Sequence, residues 1–135
     1  MAVVQWGEQY SVGFKELDNH HKKLFSLLDC LYHQMADNAS DAQINKIIKD
    51  LLDYTKYHFS EEEQVMEKMQ YPELFQHQQL HREFIAKIEE FQREASVEGM
   101  AIFVAVKMAD AGSHWLKEHI LAVDKKYHQY SEAMA

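Results

Sequence analysis

The sequence predicts an all-α protein, an antiparallel up-down-up-down four-helix bundle with an extended N-terminal arm. Three observations carry that reading. Only four glycines and one proline occur in 135 residues, so little interrupts a helix. Apolar residues recur at three- and four-residue spacing in four stretches of roughly 20 residues, the period of a helix with one buried face. The links between these stretches are short, which makes successive helices antiparallel neighbours.

Residues 1–17 hold Trp6, Tyr10, Val12, Gly13 and Phe14 without a sustained period, as expected of an arm laid across a bundle. The bundle is expected over 18–135, and 1–135 forms one domain, a length that buries about two thirds of its unfolded surface. The first helix, from Asp18 to about Asp37, carries Leu24, Phe25, Leu28, Leu31 and Met35. Asn38 to Ser40 breaks it, and Ser40 with Gln43 spells a capping box. The second helix carries Ile44, Ile47, Ile48, Leu51, Thr55, Val65, Met66 and Met69 and stops at Tyr71-Pro72. Pro72 suits the first turn of the third, whose stripe is Leu74, Leu80, Phe84, Ile85, Ile88 and Phe91, ending at Ser96 to Gly99. The fourth starts near Met100 and runs through Ile102, Val106, Ala109, Trp115, Leu116, Ile120 and Val123, with Gly112 a weak point inside it.

The formal net charge of -8 and the lack of a basic run argue against nucleic acid and anionic membranes, whose binding is driven by lysine and arginine. One cysteine, Cys30, makes no internal disulfide. There is no membrane-length apolar run and no signal-like N-terminus, so no membrane insertion and a cytoplasmic location are expected.

Polar residues on the buried stripes are the informative feature. His58 and Glu62 lie between Thr55 and Val65, and His77 and His81 between Leu74 and Phe84, each pair about one helical turn apart on one face. A buried carboxylate costs several kcal/mol unless compensated, and imidazoles converging with carboxylates on one bundle axis are most economically satisfied by metal. On the first helix His21 shares the arc of Leu17, Leu24, Phe25, Leu28 and Tyr32, whereas His20 lies about 100° away, on its edge. Cys30 falls about 180° from His21 and points away. On the fourth helix His119 is the core candidate among His114, His119 and Asp124. Asp124 follows it by five positions, about 140° round a regular helix, so the two share a site only if the helix bulges or ends between them. His33 and His128 read as solvated or capping.

Five histidines, His21, His58, His77, His81 and His119, with the carboxylates Glu62 and Asp124, are too many ligands for one tetrahedral zinc and include no thiolate. They suit two octahedral metals sharing both carboxylates, and imidazole with carboxylate fits iron. The E-x-x-H pattern of ferritin-like di-iron proteins does not occur.

These residues closely resemble the hemerythrin family, in particular its bacterial members. The likeness covers nearly the whole chain: Ser11-Val12-Gly13 and Leu17-Asp18 lead into His21 to Leu24, and Tyr57-His58-Phe59 precedes Glu62-Glu63 and Met66. Tyr71-Pro72 precedes His77 and His81, and Trp115-Leu116 leads to His119-Ile120 and Asp124. The resemblance implies one iron held by His77, His81 and His119 and a second by His21 and His58. Glu62, Asp124 and an oxo or hydroxo group would bridge them. It also implies that Asp124, five after the last histidine, is in its usual place, while His20 stands where the family commonly has glutamine. Leu24, Phe59, Trp115, Leu116 and Ile120 would line an apolar pocket over the open position of the second iron.

The function so implied is reversible binding of dioxygen, held as hydroperoxide, for transport, storage or delivery to an oxygen-consuming enzyme, by a monomer that is not an enzyme. Two alternatives belong to other classes. One is a di-iron peroxidase, oxidase or nitric-oxide-handling enzyme, which needs a proton donor near the open iron, with Glu61 and Glu63 the nearest by sequence and better explained by a solvated face. The other is an oxygen- or iron-sensing domain reporting to an output module.

Overall fold

The computed structural model describes residues 5–134, apart from the side chain of Met35, so the Met35 stripe position and the first four arm residues lie outside it. The elements in order are a 3-10 turn at Glu8–Tyr10, α1 (Lys15–Ala36), α2 (Asp41–Lys68), α3 (Leu74–Ala95), α4 (Ala101–His119), a π-helical turn (Ile120–Asp124) and α5 (Lys125–Met134). Since α4, the π turn and α5 follow without a break, the described residues form four rods, each packed on its neighbours in sequence, with α4 closing onto α1.

The described part of the arm is extended apart from its one turn, and its later half is pinned to the bundle. Tyr10 and Val12 are buried, Tyr10 against Phe25 at 5.1 Å between ring centroids. The Asp18 carboxylate, in the first turn of α1, accepts from Ser11 Oγ at 2.6 Å and from the Val12 amide at 2.8 Å. Gly13 has φ +78°, where a side chain is strained, and a Cβ there would overlap the His128 ring. The α1 helix begins at Lys15, three residues before the expected Asp18, because Phe14 already accepts the Asp18 amide.

Most boundaries follow the local chemistry of the sequence. Asn38, at φ 54°, ends α1 in the left-handed conformation, and the Ala39 amide reaches back to the Gln34 carbonyl. Both bonds of the Ser40–Gln43 capping box are present, at 2.8 and 3.2 Å. Pro72 does not enter the first turn of α3. It sits in the turn before Leu74, where its fixed φ suits a bend as well as a helix start. Across the bundle, Asn45 Nδ2 satisfies the Ala95 carbonyl at 3.0 Å and Asp41 accepts from the Gly99 amide at 2.9 Å, tying the α3–α4 turn to the start of α2.

The fourth rod departs furthest from expectation. Its first half buries Val104, Ala105, Met108 and Ala109, while Val106 is exposed and Phe103 more so. Small alanines carry the buried face there, so apolar spacing alone set the phase wrongly. Gly112 is no weak point: it is buried, and a Cβ would come within 2.9 Å of Leu28 Cδ2, so α4 approaches α1 closely at that level.

Candidate metal centre

All four rods send ionisable side chains to one end of the core. His21 comes from α1, His58 and Glu62 from α2, His77 and His81 from α3, His119 from the end of α4 and Asp124 from the π turn. None is more than 5% exposed. One residue more than a regular turn is taken up between His119 and Asp124, and the i to i+5 turn brings them together: His119 Nε2 lies 3.0 Å from Asp124 Oδ1.

The seven fall into two overlapping groups whose candidate ligand atoms lie within 4.8 Å of one another: Glu62, His77, His81, His119 and Asp124 in one, His21, His58 and Glu62 in the other. Each carboxylate divides its oxygens between the two sets. Glu62 Oε1 faces His77 Nε2 at 3.2 Å and His81 Nε2 at 2.9 Å, while Oε2 faces His58 Nε2 at 3.5 Å and His21 Nε2 at 3.7 Å. Asp124 Oδ1 faces His77 Nε2 at 2.9 Å as well as His119, and Oδ2 faces His21 Nε2 at 3.3 Å. Two carboxylates that each look both ways have the arrangement of bridging ligands.

The electrostatics ask for positive charge at the same place. Burial pushes the Glu62 carboxyl up, but the imidazoles of His58, His21 and His77 hold it well below the usual range. Burial and the Glu62 charge push Asp124 up, and His119 and His21 outweigh them and hold it down. Burial opposes charge on His21 and His77, yet Asp124 and Glu62 raise both to about 9. His58, where burial dominates, is lowered to about 4. The approaches between these groups do not complete a hydrogen-bonded network: His21 Nε2, His81 Nε2, Glu62 Oε1 and both Asp124 oxygens are buried without a hydrogen-bond partner. Lone pairs left unpaired in a core cost about 1–3 kcal/mol each. A pair of divalent ions would take up those lone pairs and supply the charge, and nitrogen with carboxylate is a donor set suited to iron.

Three further side chains support the seven, and the residue reading missed or misjudged each. His20 is buried, not at the helix edge, and its Nδ1 lies 3.0 Å from His58 Nδ1; the edge of α1 is the side that α2 covers. Glu63 is not part of a solvated face, because it lies 2.7 Å from His81 Nδ1 and accepts from Gln78 Nε2 at 3.2 Å. Tyr127 is fully buried and donates to Glu62 Oε2 at 2.9 Å. Burial and the charges of Glu62 and Asp124 raise the Tyr127 phenol well above its ordinary range, so it remains a donor. Its position three residues after Asp124 on a helix was the available signal.

Four of the five expected pocket residues are apolar side chains of the core, and the fifth, Trp115, is half-buried and packs against it. Phe59 stacks on His81 at 3.7 Å and Trp115 on His119 at 4.3 Å, while Leu24, Leu116 and Ile120 are buried. His33 and His128 stand apart, paired with Asp29 and Glu132 one turn away, and Cys30 is exposed.

Known proteins resemble this chain in sequence and in fold. Residues 12–130 match the model of the hemerythrin HHE cation binding domain. The chain is 32% identical over 125 residues to a bacteriohemerythrin of Clostridium acetobutylicum, covering 90% of this chain and 96% of that protein. It is 30% identical over 122 residues to a myohemerythrin of Riftia pachyptila, covering 90% and 88% respectively. In three dimensions it aligns with a crystal structure of a hemerythrin point mutant at a TM-score of 0.79 and 24% identity, over 96% of this chain and 97% of the other, which concerns the fold. With a matching family model over most of its length, and relatives of this similarity, the chain belongs to the hemerythrin family.

Proposed function

We propose that this protein binds dioxygen reversibly at a non-haem di-iron centre, for carriage, storage or delivery to an oxygen-consuming enzyme. His77, His81 and His119 would hold one iron and His21 and His58 the other, with Glu62, Asp124 and an oxo or hydroxo group shared between them. The observation that carries this reading is the division of both carboxylates between two histidine sets, Glu62 Oε1 and Asp124 Oδ1 toward one and Oε2 and Oδ2 toward the other. The relatives' names, bacteriohemerythrin and myohemerythrin, agree with it.

Two ferrous ions would supply the electrons that dioxygen takes up on binding and returns on release. The protein's own part is to bind, orient and exclude water. Tyr127 fixes Glu62 through its hydroxyl, and Glu63 fixes the His81 ring through Nδ1. In this reading the side with fewer histidines keeps an open position, and Leu24, Phe59, Trp115, Leu116 and Ile120 keep it dry, which limits loss of the reduced ligand to protons. Binding is favoured over turnover because Glu63, one of the two candidate proton donors, is engaged by His81 and Gln78.

The test is direct. Protein reduced without air should contain two irons per chain, develop a visible absorption band on aeration and lose it under vacuum. Irreversible oxidation on first exposure to air overturns the proposal.

A further inference from the structure

We propose, on the basis of the di-iron reading, that His20 is a positioning residue for the iron-binding imidazole of His58, and that with Glu63 it makes the two irons chemically unequal. The ring nitrogens of His58 face opposite ways. Nε2 looks into the carboxylate cluster, 3.5 Å from Glu62 Oε2, and Nδ1 meets His20 Nδ1 at 3.0 Å. An imidazole that gives its Nε2 lone pair to a metal carries its proton on Nδ1. His58 therefore donates, and His20 accepts with its own proton on Nε2. His20 is held in place by aromatic walls, with Tyr54 edge-on at 5.9 Å and Tyr57 at 5.3 Å between ring centroids, and the His20 and His58 rings cross at 90°.

On the other side of the site the corresponding partner is a carboxylate, Glu63, at 2.7 Å from His81 Nδ1. A carboxylate draws the ring proton toward itself and makes the imidazole a stronger donor to metal; an imidazole acceptor does so less. The difference in partner adds to the difference in histidine number. The three-histidine iron is held more tightly and favoured in the ferric state, and the His21–His58 iron is the more labile and the more easily kept ferrous.

The experiment compares the unaltered protein with H20F, which keeps a ring against Tyr54 and Tyr57 but accepts no hydrogen bond, H20Q, which keeps an acceptor, and E63Q. All are loaded anaerobically with ferrous ion, and iron per chain, extraction by an excess of a ferrous chelator and midpoint potentials are measured. H20F should release one of its two irons about 10–100-fold faster, with H20Q restoring the rate to within about threefold. E63Q, which replaces a charged partner by a neutral one, should raise the midpoint potential, and H20Q should leave it unchanged. Release of both irons from H20F at the unaltered rate overturns the positioning role, and an equal potential shift in H20Q and E63Q overturns the inequality. The unaltered protein gives an independent reading by nitrogen-15 histidine resonance: the His58 proton belongs on Nδ1 and the His20 proton on Nε2, and the reverse assignment refutes the proposal whether or not H20F folds. Fewer than two irons in the unaltered protein would instead remove the di-iron reading itself.

Discussion

The two ends of this bundle are built on the same rods by opposite rules. At one end Leu28, Leu31, Ile44, Ile48, Leu51, Ile88, Val104 and Met108 form an apolar core with no fully buried polar side chain among the described residues. At the other, the same four rods bury six imidazoles and two carboxylates, several of whose atoms have no hydrogen-bond partner. Thr55 lies along α2 between the two regions and is satisfied within its own helix, donating to the Leu51 carbonyl at 2.6 Å. The apolar end is complete as folded, whereas the polar end leaves buried atoms unpaired that a bound ion would satisfy. In such a division the binding energy of a metal would add to the folding energy that the apolar core supplies.

Substitutions at the two ends should therefore separate folding from loading. The largest effect is expected from Glu62→Gln, which removes a carboxylate shared by both histidine sets: ferrous ion affinity should fall more than about 100-fold, beyond the loss typical of an outer partner. The gap in melting temperature between loaded and metal-free protein should vanish with it. Retention of two tightly held irons in this variant would contradict the bridging role. Ile48→Ala should do the reverse, costing about 2–5 kcal/mol of unfolding free energy while iron per chain and the loading gap persist.

The metal-free protein should also show the contrast by pH. His21 and His77 have folded-state pKa values of about 9, above the ordinary histidine value of 6.5. Their contribution to stability is fully present below pH 6.5 and is lost as pH rises through about 9. Melting of metal-free protein should fall across that window and that of loaded protein should not, since metal replaces the protons. A flat profile for the metal-free form would show that those two imidazoles are not charged partners of Glu62 and Asp124.

Two smaller effects sharpen the boundary. Tyr127→Phe deletes the phenol that fixes Glu62 and should speed iron release about tenfold with iron per chain unchanged, measured by chelator extraction. Ser40→Ala, at the capping box of α2, should cost about 1 kcal/mol in denaturant melts and leave release rates alone.

Much of this molecule was legible in its sequence because its elements are separated by local signals. The Ser40–Gln43 box and the Asn38 break act within a few residues of themselves, and all of the seven converging side chains except Asp124 sit on helical faces whose phase is readable. What escaped depends on neighbours. Val106 fits an apolar stripe on spacing but is exposed, because alanines and a glycine let α4 approach its partners on another face. The places of His20 and Glu63 are settled by where α2 and α3 lie, and no single helix contains that information. The distance between His119 and Asp124 announced either a bulge or a helix end, and only the chain's continuation into α5 decides between them.

The turn at Ile120–Asp124 is also a change of phase. Taking an extra residue into one turn rotates everything that follows by about 100° relative to an unbroken α-helix. Asp124 and Tyr127, three apart, therefore swing inward together, one to His119 and the other to Glu62. The last ten helical residues are written in this shifted register, with Tyr127 buried and Lys126 and Gln129 outside. Closing the turn into regular α-helix without removing a residue would turn Asp124 and Tyr127 away by that angle and withdraw a carboxylate and the hydroxyl that steadies its counterpart in one step, whereas deleting one residue within it would set Asp124 four positions after His119 and leave both facing inward.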